Sequence, residues 1–229
     1  MKYNRLPHSV FTQHRQRFMG KLKSNSIAVF NSNDIYPISA DSTLPFEQHR
    51  DLFYLTGIDQ EETIVVLCPD AKNPALRQVV FVRETNAHIA VWEGHKLTQT
   101  EATEVSGVST VKWTSEFEEH FLALTKEVEH IYINTNEHYR ANVETQTRED
   151  RFIEWCKTKF PTHNYEKSNL ILQGLRAVKD PEEIEHIQTA CDITENGFRR
   201  VLGFIKPGVW EHEIEAEYAH EFLRNRSKG

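Results

Sequence analysis

The residue types able to do chemistry in this chain are its histidines, its carboxylates and a few isolated aromatic and thiol groups. Twelve histidines are scattered along 229 residues. The nearest approach to a zinc-binding helix is His212-Glu213-Ile214-Glu215-Ala216. A His-Glu-x-x-His helix needs its second imidazole one turn on, so that both rings face one ion. Position 216 is alanine, and a solvated helix face is the expectation there. Glu182 and His186 sit one helical turn apart, a pairing worth only ~0.3–0.5 kcal/mol on a surface. No Ser/His/Asp or Cys/His order suggests a nucleophile. Gly174 and Gly208 read as stop signals rather than a phosphate loop. Asp41, in Ser39-Ala40-Asp41-Ser42, reads as a carboxylate bonding nearby loop backbone. Trp92 falls on an apolar segment, His88–Trp92, expected to be a strand with the indole as core or edge packing. Phe53, Tyr54 and Leu55 precede a glycine turn and are expected in the core, and Cys191 likewise.

These residues need elements to position them, and the length suffices for a large core. Apolar residues make up 38% and charged residues 27%, an ordinary globular balance. A net charge of −7, with no basic block, leaves no nucleic-acid footprint. No run of eighteen apolar residues is present, and the first residues lack the apolar centre of a secretory signal. Cys68, Cys156 and Cys191 are few and far apart, which argues against a disulfide framework or a Cys-x-x-Cys metal site. A reducing cytoplasm is the expected compartment.

The pattern predicts a helix over Ser9–Lys23, then a short strand at Ser26–Phe30. Asn31–Pro45 reads as irregular. Thr63–Cys68 and Gln78–Val82 are near-continuous apolar runs, the mark of strands buried on both faces. A helix is expected at Thr100–Val105, and another at Ser115–Lys126 with a Ser115-x-x-Glu118 capping box. A strand follows at His130–Asn134 and an amphipathic helix at Glu149–Phe160. This alternation describes an α/β domain with a mixed sheet and flanking helices. The plainest single element is the helix from Asp180 to Ile205. Asp180 caps it, Pro181 opens it and Glu183 completes a capping box. Ile184, Ile187, Cys191, Thr194, Phe198, Val201 and Ile205 form one apolar stripe along it, expected to be buried. Trp210, Ile214, Tyr218 and Phe222 mark a second amphipathic helix that packs on the first.

Several stretches together resemble the Xaa-Pro aminopeptidases (aminopeptidase P), within the creatinase/prolidase group. They are Arg15-Gln16-Arg17-Phe18, Ile27–Phe30, Ser39-Ala40-Asp41-Ser42, Trp92-Glu93-Gly94 and Leu175-Arg176-x-x-Lys179-x-Pro181-Glu182-Glu183-Ile184. The most specific is Phe46-Glu47-Gln48-His49-Arg50-Asp51-Leu52-Phe53-Tyr54-Leu55-Thr56-Gly57. It departs from the family pattern at Glu47 and His49-Arg50, where arginine and a small polar pair are usual.

The resemblance implies a creatinase-like, ribonuclease H-like N-terminal domain over residues 1–172. Residues 173–229 are then the opening of a pita-bread metallopeptidase domain. It implies removal of an N-terminal residue that precedes proline, with two divalent metals, usually manganese, held by two Asp, one His and two Glu. No position here matches those ligands, so no metal is expected in this chain. Trp92 is implied to reach the substrate cleft of a neighbouring subunit, and Asp41 to be an ion-paired acid near the active site. Peptide substrates and a dimer or tetramer follow from the same likeness. Two other readings stay open: a prolidase, and a non-catalytic interaction module. With no sheet beneath them, the two C-terminal helices are expected to expose apolar faces.

Overall fold

Six consecutive buried residues, Ser26–Asn31, form β1, the strand around which the larger unit is built. Side chains alternate across a strand, so burial of all six means that both faces are covered. In a computed structural model, which describes residues 3–138, 140 and 144–227, the chain divides into two compact units. One is Pro7–Ala177; the other joins Met1–Leu6 to Val178–Gly229.

In the larger unit, α1 (His8–Met19) precedes β1. A small hairpin of β2 (Pro37–Ser39) and β3 (Ser42–Thr43) follows, then α2 (Arg50–Thr56), β4 (Ile64–Leu67) and β5 (Gln78–Val82). Next come α3 (Ala87–Glu93), α4 (Gln99–Ser106), β6 (Thr110–Trp113), α5 (Phe117–Thr125) and β7 (His130–Ile133). The unit closes with α6 (Arg148–Lys159), β8 (Asn164–Lys167) and α7 (Asn169–Ala177). Six strands make one mixed sheet in the order β6-β5-β4-β1-β7-β8. β1 runs antiparallel to β4 and parallel to β7; β4/β5 is antiparallel, while β5/β6 and β7/β8 are parallel.

The alternation sorts the core into two layers. Ala28 and Phe30 face Phe18 of α1, Leu52 and Leu55 of α2, Val105 of α4 and Leu172 of α7. Ile27 and Val29 face the other way, toward Phe121 of α5 and Phe152 and Cys156 of α6. A buried side chain of this size stabilises by ~1.5–3 kcal/mol. Arg15 lies in the first layer, its guanidinium tied to the Leu55 carbonyl at 2.7 Å and the Gln78 amide oxygen at 2.7 Å. Those bonds offset the cost of burying the charge, which lowers the Arg15 pKa to about 10.

Several sequence expectations change. Segment 88–92 is not a strand but part of α3. Both edges of β5, the strand before it, are taken by β4 and β6. Instead Asn86 Oδ1 accepts the His88 and Ile89 amides, both at 3.0 Å, and starts a helix. Ser115 does not cap α5. Its hydroxyl donates to Glu84, and Glu116 takes the Trp113 amide at 3.1 Å instead. β6, β8 and α7 are additional elements. Finally, Cys191 is exposed rather than core.

The smaller unit holds α8 (Pro181–Phe204) and α9 (Glu211–Arg224). The capping box of Asp180 and Glu183 forms as its spacing predicts. The helices meet at Gly197, where an added Cβ would lie 3.0 Å from the Tyr218 ring. Phe198 packs edge-on against that ring, and Arg200 pairs with Glu217. The stripe of α8 is not a buried one: Val201 is covered, but Phe198 is 57% exposed, and Ile184, Ile187 and Ile205 are exposed too. Both helices keep apolar surface in the open.

Candidate functional site

Asp41 and Trp92 both lie on the larger unit, at its surface. Asp41 sits at the tip of the β2–β3 hairpin, where Ser39 pairs with Ser42. The preceding Ala40 has φ of 50°, the left-handed region that costs a side-chain-bearing residue strain. Asp41 is exposed, and no hydrogen bond or ion pair engages its carboxylate among the described residues. The local backbone bonding expected of it is not formed.

Trp92 is 79% exposed and its neighbour Val91 76%. A surface indole of this size normally finds cover. Its helix is nevertheless held firmly. Arg83, just after β5, forms a two-pronged pair with Glu93: Nη1 to Oε2 at 2.6 Å and Nη2 to Oε1 at 2.9 Å. Arg83 Nη1 also lies 3.5 Å from Glu61 Oε1, and Lys96 pairs with the same Glu61. Burial works to raise the Glu61 pKa, but the Lys96 hydrogen bond, backbone donors and the Lys96 and Arg83 charges outweigh it, leaving the pKa lowered. Gln60 Oε1 accepts the Leu97 amide at 2.7 Å, fixing the chain that leaves α3. The fold therefore presents Val91 and Trp92 on a helix clamped at its C-terminal end and capped at its start. No hydrogen bond, ion pair or ring contact joins Asp41 to Trp92 among the described residues.

Other motif residues do meet. Asp51, in the long aromatic motif, accepts from Arg176 Nη1 at 2.7 Å and from Asn134 Nδ2 at 3.1 Å. Arg176 also stands 6.0 Å from the centre of the Tyr54 ring. The segment 46–57 and the segment beginning at Leu175 are thus joined by a charged hydrogen bond. Sequence reasoning missed this pair and the Arg83–Glu93–Glu61–Lys96 group. Contacts over such separations leave no local periodicity to read.

A six-stranded mixed sheet with helices on both faces, carrying these motifs in this order, defines a domain class, and comparison with known proteins specifies it. The aminopeptidase P N-terminal domain model matches residues 11–132, and the chain belongs to that family. It is 26% identical over 221 residues to the Xaa-Pro aminopeptidase of Escherichia coli K12, covering 95% of this chain and 49% of that protein. Human Xaa-Pro aminopeptidase 3 is 22% identical over 216 residues, 93% of this chain and 42% of that one. Among solved structures, an aminopeptidase P from Bacillus anthracis superposes with a TM-score of 0.85 at 25% identity, over 96% of this chain and 52% of that one. The chain thus spans about half the length of the curated relatives it matches.

The family implies a metalloenzyme, and the donor set here does not fit the two-metal site. Within either compact unit, no three His, Cys, Asp or Glu ligand atoms converge among the described residues. Cys68 and Cys156 are buried thiols whose pKa is pushed up to about 12, desolvation being the main cause. Neither offers a thiolate. No step is routed through a metal on these residues.

Proposed function

We propose that this chain is the N-terminal portion of a metal-dependent Xaa-Pro aminopeptidase, which releases an N-terminal residue preceding proline. Its part is to help wall the substrate pocket and to hold subunits together as a dimer or tetramer. The two divalent ions, manganese by the family's habit, belong to the hydrolytic centre of the complete enzyme. The observation that carries the reading is Trp92, four-fifths exposed on a helix fixed by Arg83. An uncovered indole on a clamped helix suits a wall that closes over a peptide supplied from elsewhere. The named relatives support the activity and the substrate class.

The test is Trp92→Ala in the complete enzyme, assayed on an Xaa-Pro tripeptide. The expected result is a higher KM or a lower kcat, with the melting temperature unchanged because the side chain is exposed. Unchanged kinetics overturns the pocket-wall role. Activity on a tripeptide against a dipeptide separates aminopeptidase from prolidase.

A further inference from the structure

The helix that carries Trp92 has no apolar anchor. None of the seven residues of α3 is fully buried: Ile89 and Ala90 are half-buried and the rest are exposed. Burial therefore contributes little to holding it, and a helix this short does not sustain itself in water. What fixes it lies at its two roots. The chain leaves β5 at Arg83 and is recaptured at Lys96, just before the buried Leu97. Both cations reach one atom, Glu61 Oε1: Arg83 Nη1 stands 3.5 Å away, and Lys96 Nζ pairs with it as well.

Glu61 is 7% exposed and stands on a firmly held stretch of backbone. Gln48 Nε2 donates to the carbonyls of Ile58 at 3.1 Å and Gln60 at 2.8 Å, and Thr63 Oγ1 donates to the Gln60 carbonyl at 2.9 Å. β4, the strand between β1 and β5, begins directly afterwards at Ile64. The same stretch takes the Leu97 amide through Gln60, so the exit root is tied twice. Arg83 lies between carboxylates, with Glu61 and, at 3.9 Å, Glu62 before β4 and Glu93 at the end of α3. Without the Glu61 charge, Arg83 and Lys96 would be like charges brought to one spot, and they would repel.

We infer that Glu61 is a positioning residue for Trp92: its Oε1, by gathering Arg83 and Lys96, pins both roots of segment 83–96 and so fixes where the indole is presented. Arg83 completes the path, because the guanidinium that Glu61 orients is the one that grips Glu93, the residue after Trp92. The kinetic consequence rests on the pocket-wall reading of Trp92. The hold of Glu61 on α3 does not.

The test pairs amide exchange in the 229-residue chain with kinetics of the complete enzyme on an Xaa-Pro tripeptide. Glu61→Gln keeps the shape of the side chain and removes its charge. Amides of Ala90–Glu93 should then exchange about fivefold faster, with those of β4 and β5 unchanged. In the enzyme, Glu61→Gln should move the same constant, KM or kcat, in the same direction as Trp92→Ala. Added to Trp92→Ala it should cause no further loss, since both changes act through one indole. A residue that only stabilised the fold would add its own loss. Arg83→Lys keeps a cation beside Glu61 but cannot grip both oxygens of Glu93. It should release α3 in the same way, and it carries the test if Glu61→Gln does not fold. Unaltered exchange in α3 overturns the inference, as do additive losses, or kinetics that Glu61→Gln leaves untouched while Trp92→Ala changes them. Where Trp92→Ala itself has no effect, the pocket-wall reading fails, and the exchange result alone decides the role of Glu61.

Discussion

At the scale of single residues, two glutamates pull stability in opposite directions with pH. Burial raises the Glu149 pKa to about 7, so the folded state holds a proton that the unfolded chain releases near 4.5. Its contribution is present below pH 4.5 and is lost progressively as pH rises to 7 and above. Glu61 has its pKa lowered, so its contribution is present above the unfolded value and lost as pH falls through the folded one. Glu149→Gln should thus raise urea stability at pH 8 relative to pH 5, by up to ~3 kcal/mol. An identical pH profile for the variant and the parent counts against this assignment. Gly57 offers a sharper steric case. Its φ is 68°, and a Cβ there would meet the Phe11 ring at 2.2 Å. Gly57→Ala should cost more than about 1 kcal/mol, read as a lower urea midpoint. Asp41 and Trp92 stand out in the sequence because each belongs to a short motif, but neither the loop bonding expected of Asp41 nor the strand expected under Trp92 is what forms. Glu149 does not stand out, since in sequence it is merely an acid in a helix's first turn.

At the scale of elements, hydrophobic pattern worked best where both faces were buried. β1, β4 and β5 are apolar runs of the expected position, and the α8 capping box was readable from four residues. Segment 88–92 misled because alternation describes the side chains but not whether a neighbouring strand is free to pair. β8 was missed for the opposite reason: Asn-Tyr-Glu-Lys at a sheet edge carries no apolar signal. The helix that replaced the expected strand depends on one cap. Asn86→Ala should accelerate amide exchange over Ile89–Glu93 about fivefold, the equivalent of ~1 kcal/mol of lost capping. Exchange in β4 and β5 should stay as it is. Unaltered exchange in α3 would show that the Arg83–Glu93 clamp alone sustains the helix.

At the scale of the whole molecule, the two units differ in how well they cover their apolar surface. The larger has two full layers on one sheet; the smaller is a helix pair with Phe198, Leu202, Ile205 and Trp210 exposed. Local opening follows such differences in burial. Amides across Ile184–Ile205 should therefore exchange faster than those of Ile27–Phe30 in a sample that light scattering shows to be monomeric. Equal protection in the monomer overturns this expectation. The two amphipathic helices α8 and α9 were legible from their apolar spacing. Which residues of β1, β4 and β7 would stand side by side was not, because register is fixed by packing across the whole sheet.

That register carries a consequence for synthesis. Ser26 pairs with His130, so β1 waits 104 residues for its parallel neighbour. At a translation rate of about 5–20 residues per second, that is roughly 5–20 s on the ribosome. During that time β4 and β5 can zip onto one side of β1 while its other edge stays unpaired. Ile27–Phe30 is an apolar, uncharged stretch of the sort that joins strangers. The emerging chain is thus most vulnerable before β7 leaves the exit tunnel, and a chaperone footprint on nascent chains should peak there and vanish once β7 is out.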